Sequence, residues 1–202
     1  MIVRDVMDIL KLRLNNIAVS KNESLLISLI NLGVTELYRR FNLSIKSEIV
    51  TTSKDIYNYQ LKNGDVSLIL ALYDNKGVEL QQSDVIDSPN WGCKITGYKS
   101  FILNKPEDNI VLILYQASPV RLMDGMDNIE LPDAMLTALM AYVIYMCSST
   151  AITTSNVSAA NGGTEADVYF QRYIALCNEL ENQGYKIPIS TESLSVMAKG
   201  YI

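Results

Sequence analysis

The amino-acid sequence predicts an α+β protein, a helical bundle of about four helices with an inserted small β domain and an extended C-terminal arm. Three observations carry that prediction. Apolar residues recur at three- and four-residue steps toward both ends of the chain, whereas between Leu43 and Val120 they fall into short alternating or β-branched runs broken by turn signals. From Tyr185 to Ile202 apolar side chains continue without a sustained period. With 202 residues, 49% hydrophobic and 19% charged, the chain can bury a core without disulfides or metal, and wholesale disorder is excluded.

Ile2, Val3, Val6, Ile9, Leu10 and Leu14 mark a first amphipathic helix. Asn22 followed by Glu23 caps a second, whose residues Leu25, Leu26, Leu29, Ile30, Leu32, Val34, Leu37, Tyr38 and Phe41 keep the same period to about Asn42. Gly33 lies inside it at a cost of about 1 kcal/mol relative to alanine, which predicts a close helix contact or a bend. Strands are expected at 47–52, 56–61, 66–73, 98–103 and 110–115. Asn63-Gly64, Asp74-Asn75-Lys76-Gly77, Ser88-Pro89-Asn90 and Lys105-Pro106-Glu107-Asp108 supply the turns between them. Over Val66 to Leu72 the run is so uniformly apolar that period alone does not separate strand from helix.

Leu131-Pro132-Asp133 opens a third helix, since proline and an acidic neighbour suit a first turn. It runs through Met135, Leu136, Leu139, Met140, Val143, Ile144 and Met146, apolar nearly all round and therefore buried on most sides. The Ser-, Thr-, Asn-, Ala- and Gly-rich stretch 148–164 reads as a loop. A fourth helix carries Ala166, Tyr169, Phe170, Tyr173, Ile174, Leu176, Cys177 and Leu180 and stops at Gly184. The helix core is expected at Leu136, Leu139, Met140, Val143, Tyr169, Tyr173 and Leu180. The domain reading is a helical bundle over 1–42 and 121–184, an inserted β domain over 43–120 and an arm over 185–202.

The histidine count is zero, which removes Ser-His-Asp and Cys-His catalysis and any His-ligated zinc. A net charge of −5 argues against broad affinity for nucleic-acid phosphate. Cys93, Cys147 and Cys177 are odd in number and widely spaced, so reduced thiols inside a cell are expected rather than a disulfide framework. Asp5 and Asp8 near the start interrupt the apolar run a signal peptide would need. The apolar stretch Ala134 to Cys147 falls short of the roughly 20 residues of a membrane helix, so a core helix and no membrane partner are expected.

No S-x-x-K, GxxxxGK[ST] or GxGxxG motif is present. Asp74-Asn75-Lys76 has the D-x-K spacing of some metal-dependent nucleases, but its residues are also those of a turn, which is the favoured reading. Lys11, Arg13, Arg39 and Arg40 sit near helix C-termini, where stabilising the helix dipole is favoured over phosphate binding. Asp5 with Asp8 and Glu179 with Glu181 lie on solvated helix faces. Met135, Met140 and Met146 read as core filler rather than a soft-metal box. The 12 tyrosines against 1 tryptophan and 3 phenylalanines give mild support to an interaction protein, because tyrosine is common at interfaces. No catalytic residue, metal or cofactor is assigned.

The residues Ser67-Leu68-Ile69-Leu70-Ala71-Leu72-Tyr73-Asp74 with Lys76-Gly77-Val78-Glu79, then Val111-Leu112-Ile113-Leu114-Tyr115-Gln116-Ala117-Ser118-Pro119, follow in a telling order. They are succeeded by Ile129-Glu130-Leu131-Pro132-Asp133-Ala134-Met135, Leu139-Met140-Ala141-Tyr142 and Ala166-Asp167-Val168-Tyr169-Phe170-Gln171-Arg172-Tyr173. In order and spacing, over nearly the whole chain, this is similar to the head-to-tail adaptor proteins of tailed bacteriophages.

The resemblance implies a structural virion protein, assembled in the host cytoplasm, that forms a ring of usually twelve copies under the portal after DNA packaging. Helices would form the ring body, the β domain would face the tail or neighbouring subunits, and the arm from Lys186 to Ile202 would dock on the portal. Implied partners are the portal protein, a downstream tail or neck protein, further copies of the chain, and double-stranded DNA in transit through the lumen. The portal-contacting candidates are Tyr185, Ile187, Ile189, Leu194, Met197 and Tyr201, which lack a core of their own. A lumen without strong positive charge would let DNA pass. Two other readings stand beside it: a tail-completion or terminator protein, and a metal-dependent nuclease built on Asp74 and Lys76.

Overall fold

A computed structural model describes residues 1–14, 22–83, 91–154 and 165–186. The expected turn at Ser88-Pro89-Asn90 and the arm beyond Lys186 lie outside the described residues. The chain divides into two compact units, one of Met1–Phe41 with Pro119–Lys186 and one of Asn42–Ser118.

The helical unit holds α1 (Val3–Arg13), α2 (Glu23–Phe41), a 3₁₀ turn (Asp133–Met135) that leads into α3 (Leu136–Thr154), and α4 (Glu165–Asn182). On α1 the apolar stripe Val3, Val6, Met7 and Leu10 is buried. Asn22 caps α2, its side-chain oxygen accepting the Leu25 N–H at 3.1 Å. At the other end Asn42 takes φ 55°, the left-handed position after a helix that asparagine tolerates. On α3, Ala138, Leu139, Ala141, Val143, Ile144 and Cys147 are all buried, a spread that wraps most of the helix.

Helix α3 also runs on to Thr154, beyond the start of the loop expected at Ser148. Hydroxyl-rich composition misleads here. No glycine or proline interrupts Leu136 to Thr154, and an established helix extends at little cost per residue once its nucleus exists. The rest of the expected loop, 155–164, lies outside the described residues.

Helix α4 ends in a Schellman motif, with Gly184 at φ 82°. The Tyr185 N–H donates to the Leu180 carbonyl at 3.1 Å and the Gly184 N–H to the Glu181 carbonyl at 3.0 Å. That pairing satisfies carbonyls left open by the last turn, and glycine occupies the left-handed position without a Cβ penalty.

The β unit contains β1 (Ile45–Thr52), β2 (Asn58–Gln60), β3 (Val66–Tyr73), β4 (Gln81–Gln82), β5 (Gly92–Gly97), β6 (Ser100–Leu103) and β7 (Asn109–Ala117). They form a three-stranded sheet in the order β1-β7-β3 and a four-stranded sheet in the order β2-β6-β5-β4. All pairings are antiparallel except β4 with β5. Residues of both sheets, among them Ile69, Leu72, Cys93, Phe101, Leu103, Val111, Ile113 and Tyr115, enclose one core. Tyr59 stacks on Phe101 with ring centroids 5.5 Å apart.

Three strand expectations change. The run 98–103 is not one strand, because Tyr98 and Lys99 form the tight turn between β5 and β6. The stretch 56–61 narrows to β2, and β4 and β5 were not expected. The run 66–73 is a strand, and it defeats periodicity for two reasons. Register shifts fall between Val66 and Leu68 and between Ile69 and Ala71, and Ala71 and Tyr73 pack with Leu114 in a second cluster apart from the main core.

Candidate functional site

Long-range bonds shape the segment from Pro119 to Pro132 into a strap over α1 and α2. Its carbonyls complete the start of α1, accepting the Val3 N–H at Asp127 (3.0 Å) and the Arg4 N–H at Gly125 (2.9 Å). Those are amides that a helix N-terminus otherwise leaves open. The Asn31 amide on α2 clamps Leu122 from both sides, donating to its carbonyl and accepting its N–H, each at 2.9 Å. The Tyr38 hydroxyl donates to the Glu130 carbonyl at 2.8 Å.

Within the strap, Asp124-Gly125-Met126-Asp127 has turn chemistry. The Asp127 carboxylate accepts the amides of Met123 (2.5 Å) and Asp124 (3.0 Å). Those two amides hold its carboxyl below the usual carboxylate range. Leu122 and Ile129 point inward and are buried, while Val120, Met123 and Met126 stand 70%, 73% and 61% exposed. Apolar side chains held out on a pinned backbone are what an interface core requires, with little ordering left to do on contact. Beside them a cleft of about 540 Å³ is lined by Arg4, Ile27, Asn31, Arg121 and Met126.

A second apolar surface lies where α3 meets α4. Tyr142 packs edge-on against Tyr173 at 5.1 Å, and Tyr145 lies against Phe170 at 5.0 Å. Phe170 is exposed, whereas Tyr173 is buried with the Arg40 guanidinium 5.9 Å from its ring centre. In the β unit, Tyr98 is exposed at the β5–β6 turn, and Ile49, Leu68 and Ile110 are exposed on β1, β3 and β7.

Of the expected helix-core residues, Leu139, Val143, Tyr173 and Leu180 are buried, and Leu136, Met140 and Tyr169 are half-buried. Of the portal-contacting candidates, Tyr185 is exposed just after the helix stop. Ile187, Ile189, Leu194, Met197 and Tyr201 lie outside the described residues.

The Asp74 carboxylate accepts the backbone N–H groups of Lys76 (2.8 Å) and Val78 (2.7 Å), and Gly77 follows at φ 76°. This is a side-chain-stapled turn, and the carboxylate is engaged in it. Among the described residues no group of three or more His, Cys, Asp or Glu is placed to hold a metal ion. The basic residues near helix ends are largely paired. Lys11 meets Glu23 at 2.8 Å, Arg39 meets Glu36 at 2.9 Å, and Arg40 meets Glu181 at 3.0 Å. All three cysteines are free and buried, and burial pushes the Cys93 and Cys147 thiols up to about 11, so both stay protonated at neutral pH. No described helix is long and apolar enough to cross a membrane.

The strap escaped the sequence reading because its anchors, Asn31 and Tyr38, are some ninety residues away in the chain. The available signal was two methionines, Met123 and Met126, set among turn residues where no core position exists for them.

Fixed apolar surfaces on a helical unit, with the Asp74 and Asp127 carboxylates engaged in turns, suit a protein that assembles with others. Family comparison makes the class specific. The model of the SU10 adaptor protein family matches residues 1–190, and the chain belongs to that family of phage head-to-tail adaptors. No curated protein matches the chain in sequence.

Proposed function

We propose that this adaptor assembles as a ring below the portal and joins the DNA-filled capsid to the tail, acting through contact alone and without catalysis. The observation that carries the reading is the family match over residues 1–190, which takes in both units and extends past the helix stop at Gly184. The helical unit forms the ring body, and the β unit faces the tail or neighbouring subunits. The arm from Lys186 to Ile202, with Tyr185 at its root, is the portal contact. Its apolar residues Ile187, Ile189, Leu194, Met197 and Tyr201 supply the surface buried against the portal, so ring assembly gains stability where the portal is present.

A ring of twelve copies requires a heterologous contact that closes by rotation. The net charge of −5 keeps free copies soluble and leaves double-stranded DNA unretained as it passes through the lumen. The test is a chain ending at Tyr185, beyond the bonds of the Schellman motif. It should melt as the full chain does and fail to co-sediment with the portal protein. Undiminished portal binding by the shortened chain would remove the arm from this role.

A further inference from the structure

We propose that neighbouring copies in the ring are joined by the solvent face of α1 of one copy, through Asp5, Asp8 and Leu12, docking on Arg13 and Arg172 of the next; this rests on the ring reading above. Asp5, Asp8 and Leu12 follow one another at three- and four-residue steps and so form a single stripe on the helix. Leu12 is 73% exposed, the most exposed large apolar residue of α1. Among the described residues neither carboxylate has a hydrogen-bonding or ionic partner. Two unpaired acids beside an exposed leucine present a charge pattern that a basic surface with an apolar hollow would complement.

The matching surface lies on the same unit. Arg13 and Arg172 both line a small cleft between α1, α3 and α4, and neither guanidinium is paired among the described residues. The cleft has a volume of about 20 Å³, with Met140 and Tyr169 in its wall and no acidic residue lining it. A space of that size takes a group no larger than a water or a methyl, which suits the tip of a leucine. Two carboxylates and a methyl on one face thus correspond to two guanidiniums and a methyl-sized hollow on the other. Arg13 is five residues on from Asp8, roughly 140° around the helix, so the two faces point in different directions. One copy therefore cannot satisfy itself, and in the ring each copy would offer the acidic face to one neighbour and the basic face to the other, a heterologous contact.

The experiment uses the full chain in three forms, each mixed with the portal protein and weighed by light scattering. D5K/D8K presents positive charge on both faces, and R13E/R172E presents negative charge on both. Each alone should lose ring formation by about a hundredfold in the concentration required, because like charges face each other across the contact. Mixed in equal amounts, the two should form rings again, alternating around the circle, and that recovery also shows that both variants fold. Rings formed by either variant as readily as by the unaltered chain, or a mixture that stays dissociated, would overturn the contact. Variants that form normal rings but no longer hold the portal would overturn it too, by assigning the stripe to the portal. If the unaltered chain itself never forms a ring, the ring reading fails and this contact with it.

Discussion

Gly33 on α2 faces Leu139 on α3 so closely that a Cβ at position 33 would stand 2.6 Å from Leu139 Cδ1, and 3.2 Å from Tyr142 Cδ1. The missing side chain is what lets the two helices meet. An alanine there gains about 1 kcal/mol of helix propensity, but it must displace a fully buried leucine, and overpacking of a core costs about 1–3 kcal/mol. G33A should therefore lower stability by about 1 kcal/mol in urea unfolding. In an L139A background the same change should become neutral or stabilising, because space has opened for the new methyl.

The Asn31 clamp on Leu122 gives a second expectation. N31A strands the N–H and carbonyl of a buried residue and should cost about 1–3 kcal/mol. N31D should not rescue it, since its second oxygen would face the Leu122 carbonyl in place of a donor. Denaturant midpoints for the two variants measure the difference. Equal stability of N31D and the unaltered chain would show that the strap is held elsewhere.

Tyr73 is fully buried and its hydroxyl makes no hydrogen bond among the described residues. Burial pushes the phenol up to about 12. Removing the oxygen alone relieves the desolvation of an unpartnered polar group, so Y73F should raise stability by about 1 kcal/mol. A clear loss on calorimetric melting would mean that the hydroxyl has a partner.

Stability should fall in acid. Lys11 holds Glu23, Lys46 holds Asp65, and the amides of Met123 and Asp124 hold Asp127, each carboxyl below its ordinary value. A carboxyl lowered in the folded chain contributes stability that is fully present above its unfolded value and is lost as pH falls through the folded one. The ordinary values are 4.5 for Glu23 and 3.8 for the two aspartates. The melting temperature should hold from pH 7 to about 5 and drop below that. D127N should show a shallower drop, and an unchanged slope would remove Asp127 from the account.

These particulars show where sequence reading reaches and where it stops. Three of the four helices were legible because they are punctuated locally, by Asn22 before α2, Pro132 before α3 and Gly184 after α4, and α1 was legible from its apolar period alone; Gly33 stood out as an expensive residue that packing has to explain. Strand β5 was not legible, since Gly92-Cys93-Lys94-Ile95-Thr96-Gly97 is bounded by glycines that read as turns, and Tyr98, with high strand propensity, sits in the turn instead. The strap with Met123 and Met126 was invisible for a different reason. Its shape comes from side chains on α2 and from the open amides of α1, and no local pattern records such bonds. Asp74 shows the converse, because its two amide bonds settle as a turn a spacing that also matched a nuclease.

The central claim, that this family member works as a ring on the portal, is tested most directly by its mass. Light scattering of the purified full chain should give a monomer alone and a ring-sized complex when the portal protein of the same phage is added. A chain that stays monomeric in the presence of the portal would contradict direct docking.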